Sequence, residues 1–122
     1  MTTETAQSVA RDVERIDELI ALGVDSPLKL DLLTTIEQAG SGAGQPEGLA
    51  AVCGVSQREI IPTLDELVRA GLLERRRFYN ITEYASAGAD DLRSRVRGLL
   101  AEGPTALRRL RRSLLARASK IN

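Results

Sequence analysis

Two short runs in this chain carry side chains with usable chemistry: Gln57-Arg58 and Arg75-Arg76-Arg77. A glutamine amide and an arginine guanidinium each present a planar, two-point hydrogen-bonding edge, of the kind that matches adenine and guanine. Three successive guanidinium groups suit phosphate oxygens, which accept paired N–H bonds and are attracted by the charge. Catalytic chemistry is missing by comparison. The 122 residues contain no histidine and one cysteine, Cys53, which removes imidazole chemistry, a conventional zinc site and an internal disulfide. No nucleophile stands beside a base, and the glycine-rich stretch 40–48 lacks the strand and lysine of a phosphate-binding loop. Asp12, Glu14, Asp17 and Glu18 read as the solvated face of a helix. The expectation is a protein that is not an enzyme and takes no metal or cofactor.

The elements around the two runs follow from spacing. Leu49, Ala50 and Cys53 form an apolar stripe of one short helix, and Gly54 then suits a left-handed helix end. Ser56 with Glu59 three residues on reads as a capping box that opens the next helix. Ile60, Leu64, Leu67 and Val68 supply its core face, and Gly71 ends it. Leu72 to Thr82 reads as a two-strand segment, with Phe78, Tyr79, Asn80 and Ile81 alternating so that one face can pack on the domain. Small Ala50 suits the close crossing of the two helices.

This order, PEGLAAVCGVSQREIIPTLDELVRAGLLERRRFYNIT over residues 46–82, resembles the winged helix-turn-helix of bacterial transcription regulators. SPLKLDLLTTIEQAG, from Ser26, is similar to the first domain helix of the arsenic-repressor-like and multiple-antibiotic-resistance-repressor-like groups. The paired cysteines of metal-sensing members are absent, so metal sensing is not implied. The resemblance implies a mainly α fold: a three-helix core plus a short β-hairpin wing, with flanking N- and C-terminal helices. It also implies double-stranded DNA as partner. Gln57, Arg58 and Ile61 would then face the bases, with Pro62 and Asp65 on the same outward surface, and Arg75, Arg76 and Arg77 would lie on phosphate. Pro62 lies inside the second helix, where it predicts a kink and a restart capped by Thr63. Asp65 there would repel phosphate. The competing reading makes the domain a protein-interaction module, with Ile61 and Pro62 as an apolar contact and the basic C-terminal tail gripping an acidic partner; the alternative for Arg75, Arg76 and Arg77 is that they are solvated turn residues.

Composition sets the remaining bounds. Aromatic residues are 2%, so the core must come from Leu, Ile, Val and Ala. Net charge is zero, but residues 1–70 carry five Lys/Arg against twelve Asp/Glu, a net of −7, and residues 71–122 carry twelve against five, a net of +7. Such separation produces a field that phosphate would feel, or allows the two halves to pair with each other. MTTETAQS lacks an apolar signal core and no apolar run approaches membrane-spanning length, so the expectation is a cytoplasmic protein with no membrane partner. Cys53, on an apolar stripe, reads as a structural thiol, with a redox or metal role as the alternative.

Three segments are expected: 1–25, an N-terminal amphipathic helix for dimerisation; 26–84, the winged domain; and 85–122, basic C-terminal helices. Gly40, Gly42, Gly44 and Gly48 argue for a flexible loop over 40–48 and against a strand there. Further helices are expected over 90–101, with Leu92, Val96, Leu99 and Leu100, and over 104–118. The stripes Val9-Val13-Ile16-Ile20 and Leu107-Leu110-Leu114 exceed what the central domain needs, which predicts a homodimer through the terminal helices. Arg108, Arg109, Arg111, Arg112, Arg117 and Lys120 leave the last helix basic, for a partner's acidic first helix or for DNA backbone.

Overall fold

The computed structural model describes residues 13–38, 43–87, 94, 97, 98 and 101–121. In chain order these form α1 (13–22), α2 (Pro27–Gln38), β1 (Ala43–Gly44), α3 (Pro46–Cys53), α4 (Gln57–Arg69), β2 (Leu73–Phe78), β3 (Ile81–Ser86) and α5 (Pro104–Ile121). Val9, and most of the helix expected over 90–101, lie outside the described residues.

Each helix boundary has a local cause. α1 ends at Gly23, whose φ of 107° a residue with a side chain adopts only at a cost. A Cβ on Gly23 would also sit 2.7 Å from the Cβ of Ala70, so the missing side chain lets the end of α4 approach. Ser26 caps α2, its Oγ accepting from the Lys29 amide at 3.3 Å, with Pro27 as the first helical residue. Gly54 closes α3 in the left-handed conformation, its N–H directed at the Ala50 and Ala51 carbonyls. Ser56 Oγ accepts from the Glu59 amide at 3.2 Å and opens α4 as expected.

Pro62 does not divide α4, which runs unbroken from Gln57 to Arg69. Thr63 starts no second helix: its Oγ1 donates to the Glu59 carbonyl at 3.3 Å, as a mid-helix threonine does. Pro62 has no N–H to give the Arg58 carbonyl, a loss that costs least on an exposed face, and both residues are exposed.

The sheet is antiparallel in the order β1-β3-β2. β2 and β3 form a hairpin, from Leu73 opposite Ser86 to Phe78 opposite Ile81. The third strand corrects the loop expected over 40–48: Ala43 pairs with Ala85 and Gly44 with Tyr84. Glycine helps at this point, because a Cβ on Gly44 would lie 2.9 Å from Leu49 Cδ2, too close for the strand to pass over α3.

One core joins the helices and the two hairpin strands. Ile16 and Leu19 of α1 meet Leu30, Leu32, Leu33 and Ile36 of α2, Leu49 of α3, Ile60, Leu64 and Leu67 of α4, and Leu110 and Leu114 of α5. Tyr84, 2% exposed, adds an aromatic ring that an aliphatic-only core did not anticipate. The terminal stripes are therefore largely absorbed within one chain, which corrects the surplus inferred from spacing. Charge follows the same pattern: Arg117 reaches Asp17 at 2.8 Å and Arg111 reaches Asp31 at 3.1 Å. The acidic front and basic back partly neutralise each other inside the molecule.

Candidate nucleic-acid interface

The start of α4 and the hairpin β2–β3 border one open groove of about 580 Å³. Gln57 and Ile61 line its helix side, and Arg75, Arg77, Asn80 and Thr82 its hairpin side. Ser56 sets where α4 begins, so it fixes the rotation that turns Gln57 and Ile61 outward while Ile60 and Leu64 are fully buried. Gln57, Arg58 and Pro62 are exposed and Ile61 is 39% exposed. Arg58 is not among the residues lining the groove.

The three arginines lie along β2, before the turn. Residues alternate across a strand, so Arg75 and Arg77 share one face and Arg76 takes the other. Arg75 Nη1 lies 3.4 Å from Asp65, and Arg76 pairs with Glu74. Among the described residues no partner is seen for Arg77. The turn itself is Tyr79-Asn80, with Tyr79 at a φ of 55°.

Two side-chain assignments made from spacing need correction. Asp65 is not a free acid on the outward face. Its Oδ1 accepts from the Tyr84 hydroxyl at 3.0 Å and pairs with Arg75, so it ties α4 to the hairpin. The wing residues also do not pack on the domain: Phe78 is 73%, Tyr79 94% and Ile81 50% exposed. A regular hairpin carries them past the body of the protein, and Tyr84, three residues beyond Ile81, is the aromatic that packs. Asn80, Thr82 and Tyr84 were not singled out from the sequence as part of this site. Placing them requires the strand register.

A second brace stands behind α4. Lys29, buried, donates from Nζ to Asp25 at 2.7 Å and reaches Glu66 at 2.8 Å, linking α2 to α4. Burial acts to lower the Lys29 pKa, but the hydrogen bonds to Asp25 and Glu66 outweigh it and the net shift is upward. Burial also raises the Tyr84 pKa, helped by its bond to the Asp65 carboxylate.

Cys53 is half-buried and lines a cavity of about 610 Å³ between α2, α3 and α5. Burial, then the charge of Asp31, pushes its thiol pKa up. A nucleophilic or metal-binding thiolate needs the opposite shift, which favours the structural reading. Among the described residues no helix is long and apolar enough to cross a membrane.

No protein-family profile matches the chain, and no curated protein matches it. Solved structures do. A homodimeric winged helix-turn-helix DNA-binding domain from Mycobacterium bovis, described as a possible ArsR-family transcriptional regulator, aligns with a TM-score of 0.56 at 22% identity, over 78% of this chain and 81% of that one. The YusO protein from Bacillus subtilis aligns with a TM-score of 0.54 at 13% identity, over 99% of this chain and 82% of the other. With the helix order, the Gly54–Ser56 turn and the β2–β3 wing, these likenesses establish the fold as a winged helix-turn-helix.

Proposed function

We infer that the protein is a transcription regulator that binds double-stranded DNA as a homodimer in the cytoplasm. The groove shared by α4 and the wing carries this reading, because it brings Gln57, Arg75 and Arg77 to one surface. In this arrangement α4 is the recognition helix in the major groove. Gln57 and Arg58 read base edges, and Ile61 makes apolar contact beside them. Arg75, Arg76 and Arg77 neutralise phosphate along the wing.

The dimer is supported by the Mycobacterium bovis structure, described as homodimeric, and by exposed apolar side chains on both terminal helices. Val13 on α1 is 48% and Leu115 on α5 52% exposed. Two-fold symmetry would place two recognition helices about one turn of DNA apart. Light scattering at micromolar concentration should give twice the 13.2 kDa chain mass, and a monomer mass would reject the dimer.

Exposure of Ile61, Phe78 and Tyr79 favours one rival, a winged domain that binds protein and has no sequence-specific DNA affinity. Selection from a random-sequence duplex library at low salt separates the two. Retention of a preferred sequence, with Arg58→Ala reducing that preference by about 1–3 kcal/mol, supports DNA reading. No retained duplex would leave the protein-binding reading.

A further inference from the structure

The wing tip is unlike the rest of the surface. Phe78 and Tyr79 are more exposed than any other large apolar side chain described, and their rings meet edge to face with centroids 6.1 Å apart. Tyr79 holds a positive φ that a side-chain-bearing residue adopts only at a cost. Two aromatic rings are thus held in water at the end of a narrow two-stranded ribbon.

The surroundings indicate what covers them. From Arg77 to Thr82 there is no acid, Glu83 standing further down the ribbon opposite Arg76 and Glu47 across the groove, and Arg77, next to the pair, has no partner among the described residues. The nearest acid before the tip, Glu74, is engaged by Arg76. Ile81, opposite Phe78, lines the same groove as Gln57, Arg75 and Arg77, so the tip is continuous with the proposed DNA face. An apolar end on a cationic ribbon matches a polyanion that stores apolar surface between its stacked bases.

We propose that Phe78 and Tyr79 form a wedge that enters the DNA minor groove and partly unstacks one base step, bending the duplex. This rests on the DNA-binding reading and deepens it. Pyrimidine–purine steps unstack most easily, so the wedge selects TA or CA at a position that no side chain reads by hydrogen bonding.

The test uses duplexes retained by the wild-type protein from a random-sequence library at low salt, with 2-aminopurine replacing adenine at one position at a time. Binding should raise 2-aminopurine fluorescence roughly threefold or more at a flanking step, because the probe brightens when its neighbours no longer stack on it. Phe78→Ala combined with Tyr79→Ser should abolish the rise and weaken binding about tenfold, while leaving the salt dependence unchanged. Both residues are exposed, and circular dichroism checks that the variant keeps its helices. Binding by wild type with no rise at any position overturns the wedge and leaves DNA binding standing, as does a variant that retains the rise. Failure of wild type to retain any duplex overturns both.

Discussion

The bond between Tyr84 and Asp65 sets the angle of the wing against the recognition helix, and its strength can be worked from the structure. Tyr84 is 2% exposed and its hydroxyl donates to Asp65 at 3.0 Å, whereas the Asp65 side chain is 37% exposed. The two partners therefore respond unequally to deletion. Tyr84→Phe keeps the buried ring and leaves a carboxylate that water can reach, a loss of about 1 kcal/mol. Asp65→Ala leaves the buried hydroxyl without an acceptor, about 1–3 kcal/mol, and releases Arg75 from an exposed ion pair contributing about 0–1 kcal/mol. Asp65→Asn retains an acceptor and should resemble Tyr84→Phe. For a chain of this size each kcal/mol moves the melting temperature by about 3–6 °C. Urea unfolding of wild type, both single variants and the double variant gives the coupling directly, expected at about 1 kcal/mol. Additivity within about 0.3 kcal/mol would show that the two groups do not interact, and the brace would have to be abandoned.

Other consequences can be checked alongside it. Gly23→Ala must place a Cβ 2.7 Å from Ala70 at a φ of 107°, so it should lose at least about 2 kcal/mol in thermal unfolding. Ser56→Ala removes the acceptor for the Glu59 amide and should cost about 1 kcal/mol, whereas Ser56→Asp should nearly restore wild-type stability. Tyr84 and Lys29 both hold their protons more tightly when folded than at their ordinary values of 10.0 and 10.5. The unfolded chain therefore releases protons first as pH rises. Their contribution is complete below the ordinary values and is lost as pH climbs through the raised ones. Alkaline unfolding followed above pH 10 should be shallower in Tyr84→Phe and in Lys29→Met, and an unchanged slope would contradict the shifts.

Local signals in the sequence located the helix-turn-helix and its wing because short-range chemistry sets those elements. The cap at Ser56, the left-handed Gly54 and the stripe Ile60-Leu64-Leu67 each depend on neighbours within a few positions. Contacts made across long separations were not legible. Asp65 looked like an outward acid because its partner Tyr84 lies 19 residues away. β1 was hidden in a glycine-rich stretch, where Gly44 serves to clear Leu49. The leucines of α5 suggested a second chain, but α1 and α2 receive Leu110 and Leu114 within the first. Alternation along the wing correctly indicated strands, but it did not show that the hairpin carries Phe78 and Tyr79 beyond the body of the protein.

Duplex binding measured against salt concentration tests the proposed DNA surface most directly. Each phosphate contact contributes about 0.9 to the slope of log affinity against log salt. Wild type should bind duplex DNA with a steep slope, and replacing Arg75, Arg76 and Arg77 with Ala should flatten it by about two to three units. An unchanged slope in the triple variant would place the phosphate contacts elsewhere, and no duplex binding by wild type at low salt would contradict the DNA-binding function itself.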